Sequence, residues 1–200
     1  MVMLSKSERT KQFIIEQTAP VFNRKGYAGT SMSDLTEATG LTKGAIYGNF
    51  DNKDEVALAA FDFNVAQVVN SIRQLQANAA TQEEKLMSYV VFYRGVLKNK
   101  MLPSGCPIAN TLTEADDTHE VLNRKATEVV RRWKKNVTDI LEAGIAGGEF
   151  KKNTDVQSVA ISIITMIEGG IVLSKSTRDN SFLRGATDRI EQIILKEIKA

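Results

Sequence analysis

An all-α fold follows from three observations. Apolar residues recur with a period near 3.6 along most of the chain, only three prolines interrupt it, and no alternating apolar–polar run outlasts the helical patterns. The 200 residues suffice for one large domain, or for a small domain fused to a larger one, and a 42% hydrophobic share is enough for a packed core. About nine helices are expected.

The first helix opens on a capping box, Ser5 with Glu8, and sets Phe13, Ile14, Gln17, Val21 and Phe22 on one face. Pro20 lies inside this pattern and is expected to kink the helix without breaking it, because the apolar face continues to Phe22. Gly26 ends the helix. Thr30 or Ser31 caps the second helix, whose core residues are expected to be Met32, Leu35 and Ala38, and Gly40 closes it. Leu41 is expected to be buried in the turn. Thr42 caps a short third helix, with Ile46 and Phe50 as its apolar anchors, and Asp51 is the expected cap of the fourth, ahead of Asp54 and Glu55. Caps and closing glycines this regular over some 25 residues predict a helix-turn-helix.

Longer helices follow. The fourth runs to about Ala77, with Val56, Ala59, Ala60, Phe63 and Val68 inward. The fifth spans about Gln82 to Asn99, with Leu86, Tyr89, Val90, Tyr93 and Leu97 on its apolar side. Cys106-Pro107 opens a short sixth helix, with proline suited to the first helical position. The seventh runs from about His119 to Ala146, the eighth from Asn153, Thr154 or Asp155 to about Lys175, and the ninth from about Ser181 to Ile198.

The third helix shows polar side chains outward, which fits DNA as its partner. Net charge over residues 1–50 is +2, from six basic and four acidic residues, while the remaining 150 residues sum to zero. A mildly positive N-terminal unit suits a phosphate partner. A recognition helix places its first residues at base edges while its neighbours hold phosphates. Lys43 is then the probing residue, Thr42 caps and approaches the backbone, Gly44 allows close approach, Ala45 meets a thymine methyl, and Tyr47 gives its hydroxyl to a phosphate. Thr30, Ser31, Asn49 and Lys53 complete the expected contact set.

The stretch GYAGTSMSDLTEATGLTKGAIYGNFDNKDEV resembles the N-terminal helix-turn-helix of the TetR family of bacterial regulators. Gly26-Tyr27, Thr30, Leu35, Ala38, Gly40, Lys43-Gly44, Tyr47, Phe50 and Lys53 carry the likeness; Asn49 stands where many members have His. The resemblance implies a DNA-binding domain over residues 1–53 and a helical ligand-binding and dimerisation domain over residues 54–200. It implies a homodimeric repressor, held on a quasi-palindromic double-stranded operator and released by an unknown small-molecule inducer. Gly105-Cys106-Pro107-Ile108-Ala109-Asn110 with Glu114, and Glu168-Gly169-Gly170, resemble segments of one branch of that family.

Two-fold pairing needs a dimer surface, for which helices eight and nine offer Val159, Ile163, Ile167, Gly170, Ile171, Phe182, Ala186, Ile190, Ile193 and Ile194. Aromatic residues and methionines cluster as pocket candidates: Phe61, Phe63, Tyr89, Phe92, Tyr93, Met101, Trp133 and Met166, with Cys106 beside them. Cys106 is expected first as a small buried hydrophobe, and its place at a helix N-terminus also supports an alternative, a thiol-based redox or electrophile sensor.

One cysteine excludes an intramolecular disulfide framework and a multi-cysteine zinc site, and suits a reducing cytoplasm. His119, without a second histidine, is expected to be a solvated first-turn residue, and Arg131, Arg132, Lys134 and Lys135 a solvated face around an inward Trp133. No nucleophile–base set, Gly-rich phosphate loop or paired-carboxylate site points to an enzyme, and no metal or cofactor is expected. The opening MVMLSKSERTK lacks the apolar run of a signal peptide, and Val156 to Leu173 is too interrupted by polar residues and glycines to be read as a membrane span.

Overall fold

A computed structural model describes residues 5–99 and 102–200. Nine α-helices cover most of them: α1 Lys6–Lys25, α2 Met32–Thr39, α3 Lys43–Tyr47, α4 Lys53–Ala77, α5 Gln82–Asn99, α6 Pro107–Ala115, α7 Glu120–Ala146, α8 Val156–Thr177 and α9 Ser181–Gln192. A π-helical turn, Ile193–Ile198, extends α9. No strand occurs among the described residues; a lone bridge pairs Phe150 with Lys199 and fastens the C-terminus to the end of α7.

Local chemistry sets the first three helices. The Ser5 hydroxyl accepts the Glu8 amide and Glu8 returns a carboxylate to the Ser5 amide, a reciprocal cap that satisfies two orphan donors. Ser31 and Asp34 repeat the device on α2. Gly26 (φ 75°) and Gly40 (φ 67°) end α1 and α2 at positive φ, which a side chain would strain, and Gly40 alone is left-handed helical. Thr42 caps α3 by accepting the Ala45 amide at 3.2 Å. The cap of α4 is Asn52 rather than Asp51: its side chain accepts the Glu55 amide, while the Asp51 amide donates to the Glu55 carboxylate.

Two apolar cores result. The smaller joins Ile14, Ala19 and Phe22 of α1 to Leu35 of α2, Ile46 of α3, Phe50, and Val56, Ala57 and Ala60 at the start of α4. Met32, Leu41, Ala59 and Phe63 pack around it half-buried rather than buried, and Ala38 is also half-buried. The larger core fills the space among the rest of α4 and α5 to α9. Helix α4 thus serves both, and its inner face includes Phe61, Val65 and Ile72.

The α8–α9 hairpin is held tightly. A Cβ on Gly170 would stand 3.0 Å from the Leu183 Cα, so glycine permits the close approach, and the Ser174 hydroxyl accepts the Leu183 amide inside it. This packing corrects the expected dimer surface. Ile163, Ile167, Gly170, Ile171, Ile190, Ile193 and Ile194 are all buried within one chain, because they form the seam between α8, α9 and the bundle. Of the expected set, Phe182 is exposed and Val159 and Ala186 are half-buried; Ile161, Val172 and Leu173 join Phe182 as exposed apolar residues of the hairpin.

Candidate nucleic-acid interface

The outer face of α3 carries little intramolecular work. Thr42, Lys43, Gly44 and Tyr47 are exposed, and Ala45 is half-buried. A Cβ added to Gly44 would find only the Thr42 hydroxyl, at 4.0 Å, so the gap beside it opens outward and is not room for α2. Lys43 Nζ lies 5.7 Å from the Tyr47 ring centroid, which joins an ammonium and a phenol in one patch. Beneath them Ile46 is fully buried and Phe50 nearly so, anchoring the short helix by its inner side.

The remaining expected residues separate. Ser31 is exposed at the start of α2, where it caps the helix. Asn49 is half-buried; its amide donates to the Ala45 carbonyl at 2.9 Å, and its carbonyl accepts from the Ser7 hydroxyl at 3.5 Å. Ser7 therefore brings the start of α1 beside the end of α3. This neighbour escaped the sequence reading, since no local pattern signals a partner 42 positions away.

Thr30 and Lys53 are corrections. Thr30 is buried and its hydroxyl donates to the Gly26 carbonyl at 2.5 Å, so it closes the turn after α1. Lys53 is neither a free donor nor a partner of Asp54 or Glu55. Its ammonium donates to the carbonyls of Tyr27 (2.8 Å) and Thr30 (3.0 Å) and lies 4.1 Å from the Tyr27 ring centroid. Two of its three donors are occupied by that turn.

Charge in the unit is similarly divided. Lys11 pairs with Glu55 at 2.7 Å and Lys25 with Asp34 at 2.5 Å. The Lys25 contact, with the Ser31 amide and hydroxyl, holds the Asp34 carboxyl well below its usual range. Among the described residues, no carboxylate lies within 4.0 Å of Lys6, Arg9, Arg24 or Lys43.

The turn after α1 is also gripped from the larger core. The Glu114 carboxylate of α6 accepts the amides of Tyr27 and Ala28, each at 2.8 Å. It stands where a Cβ on Gly26 would be, which leaves glycine the only fit there. Asn110 of α6 donates to the Asn23 carbonyl and to the Ser104 carbonyl. The Tyr27 hydroxyl donates to Asp54, whose carboxylate pushes that phenol up to about 12. His119 belongs here too, and is not a solvated first-turn residue. It caps α7 through Nδ1, packs edge-on to Tyr27 with centroids 4.6 Å apart, and sets Nε2 at 3.8 Å from Asp54.

A cavity of about 360 Å³ opens between α4, α5, α6 and α7. Tyr89, Tyr93 and Trp133 of the expected pocket line it, with Val65, Val68, Val69, Ile72, Ile108 and Val129 as its apolar wall. Phe61 and Phe92 do not line it; they are buried in the core, Phe92 edge-on to Tyr93. Met166 and Phe63 are half-buried against the two cores, and Met101 lies outside the described residues.

Cys106 is not in the cavity either, and its surroundings oppose the thiol-sensor alternative. It is buried, and its thiol donates to the Glu168 carboxylate at 3.0 Å. Burial first, and then the neighbouring Glu168 charge, push the thiol well above its ordinary value. The nucleophilic thiolate is disfavoured and access is closed, so the helix N-terminus does not make this cysteine reactive.

Comparison with known proteins agrees with this architecture. Residues 14–60 match the family model for bacterial regulatory proteins of the tetR family, and residues 83–190 match the model for tetracyclin repressor-like C-terminal domains. The crystal structure of a TetR-family transcriptional regulator from Cytophaga hutchinsonii superposes with a TM-score of 0.93 at 46% identity, covering 100% of this chain and 99% of that one. A TetR transcriptional regulator from Chloroflexus aurantiacus superposes at 0.92 with 31% identity, covering 98% and 99%. An HTH-type transcriptional regulator of Lactococcus lactis is 26% identical over 186 residues, 91% of each chain.

Proposed function

We propose that this chain, which belongs to the TetR family of bacterial regulatory proteins and is a DNA-binding transcriptional regulator, is a homodimeric repressor released from a quasi-palindromic operator by a small-molecule inducer. It is not an enzyme. The observation that carries the DNA end is the outward face of α3, where Lys43 and Tyr47 share a patch beside the open space at Gly44. In this reading Lys43 reaches a base edge or phosphate, Ala45 meets a thymine methyl, and Ser31, Thr42, Tyr47 and Asn49 hold the backbone. Thr30 and Lys53 act one step back, fixing the turn that orients α2.

Dimerisation is supported by the exposed stripe Ile161, Thr165, Gly169 and Val172 on α8 with Phe182 on α9, at helical spacing and on the outer side of the hairpin. Two copies paired there carry two α3 helices, which a palindrome accepts at about 34–36 Å separation. The cavity supports an inducer, and the contact of α6 with the turn after α1 supports a route from cavity to DNA. Repression is supported by relatives named as repressors, DhaR of Mycobacterium and ComR of Escherichia coli, 22% and 26% identical to this chain. The cytoplasm, where the DNA is, is the proposed location.

Selection from random double-stranded DNA tests the reading. It predicts enrichment of an inverted repeat with half-sites about one turn apart, bound by two copies as sized by analytical ultracentrifugation. Enrichment of an unrepeated site held by one copy contradicts it.

A further inference from the structure

The polar groups around the cavity are biased toward one charge. Arg73 on α4 and Arg132 on α7, both exposed, line it, and among the described residues neither guanidinium has a carboxylate within 4.0 Å. The carboxylate that also lines it, Asp62, is already paired with Lys125 at 2.5 Å. The Tyr89 hydroxyl is likewise engaged, donating to Asn136 Oδ1 at 2.7 Å.

One donor is left over. Trp133 Nε1 is buried and completes no well-aligned hydrogen bond, although the Tyr89 hydroxyl is near enough to interact with it and the two rings stack at 6.1 Å between centroids. A buried indole N–H without a well-aligned acceptor is unusual, because desolvation penalises it. In a cavity wall it has an evident use, which is to wait for an acceptor on a ligand. The rest of the wall is aliphatic, from Val65, Val68, Ile72 and Val129.

We propose that this cavity binds a small amphipathic organic carboxylate. Its apolar body lies against the valines and isoleucine, its carboxylate lies toward Arg73 and Arg132, and Trp133 Nε1 donates to an oxygen of the ligand. Guanidinium forks match a carboxylate in geometry as well as charge. A cation would be repelled by two arginines at the same place, and a neutral alcohol would leave both guanidinium groups to water. The inference rests on the reading that a small molecule occupies this cavity, and it names the ligand's class.

Trp133 is the single tryptophan of the chain, so its emission reports this wall alone. The test titrates the full-length protein at low ionic strength with octanoate and phenylpropionate, against octan-1-ol and octylamine. The two acids distinguish an aliphatic from an aromatic source of the carboxylate. At least one acid should shift Trp133 emission with a Kd about tenfold or more below those of the alcohol and the amine, as one charge-assisted hydrogen bond implies. The double variant Arg73→Gln/Arg132→Gln should raise the Kd of that acid to the level of octan-1-ol and leave octan-1-ol binding unchanged, which also shows that the fold is intact. Equal or tighter binding of the alcohol or amine, silence toward both acids, or an acid affinity indifferent to the double variant overturns the proposal. Release of operator DNA is measured in parallel. An acid that binds without releasing DNA refutes the inducer reading alone, and release by the amine or alcohol but by neither acid refutes the carboxylate alone.

Discussion

Glu114→Ala isolates the grip of the larger core on the DNA-binding unit. The carboxylate accepts two amides at 2.8 Å, and neither the Tyr27 nor the Ala28 amide has a backbone acceptor. Hydrogen bonds to a charged group contribute about 1.5–3 kcal/mol each when shielded from water. Here Ala28 is exposed and Glu114 half-buried, so water recovers part of the loss on removal. The pair is then worth about 2 kcal/mol together. For a chain of this size that corresponds to a fall of roughly 4–8 °C in Tm by differential scanning calorimetry. Hydrogen exchange supplies the local readout: the amides of Tyr27 and Ala28 should lose protection in the variant, while the amides of α2 and α3 keep theirs. A Tm within about 1 °C of wild type, with unchanged exchange at both amides, would refute the assignment.

Other outcomes follow from buried groups. Burial pushes the Glu168 carboxyl from 4.5 up to about 7, so the folded chain holds a proton that the unfolded chain releases between those values. Stability therefore falls as pH rises through that window and levels off above it, by about 3 kcal/mol in all. Glu168→Gln should melt higher than wild type at pH 8 with a flatter profile from pH 4.5 to 8; superimposable profiles contradict this. Cys106 in the native protein should react with a thiol-specific disulfide reagent orders of magnitude more slowly than after denaturation, and prompt native labelling would reopen the sensor alternative. Val172→Asp, on the exposed side of α8, should dissociate the dimer in analytical ultracentrifugation without lowering helical content, whereas an unchanged sedimentation coefficient would move the interface elsewhere.

How far the sequence could be read differs by residue, for physical reasons. Ser5, Ser31, Thr42, Gly26 and Gly40 act through partners within four positions, so their spacing alone locates α1 to α3. Ile46 against Lys43 and Tyr47 was legible because α3 is polar on one side and apolar on the other. Helix α8 lacks that contrast. It is apolar nearly all round, so its period cannot separate Ile163 and Ile167, which face the bundle, from Ile161 and Val172, which face out. Lys53 and His119 have roles other than those expected, and Cys106, though buried as expected, lies away from the cavity, for another reason. Their roles are set by Tyr27, Glu168 and Asp54, which lie 26 or more positions away, and no local pattern reports such pairings. The cavity is legible only in part: Tyr89, Tyr93 and Trp133 belong to it, but aromatic residues fill cores and line pockets alike.

Operator affinity of Lys43→Ala/Tyr47→Ala, followed by fluorescence anisotropy across a salt series, tests the α3 face most directly. The operator is the sequence enriched by selection, and Lys135→Ala on α7 serves as the remote control. The double variant, still folded and dimeric, should bind about tenfold or more weaker with a shallower salt slope, while the control stays within about twofold of wild type. A double variant that keeps wild-type affinity and slope would contradict this.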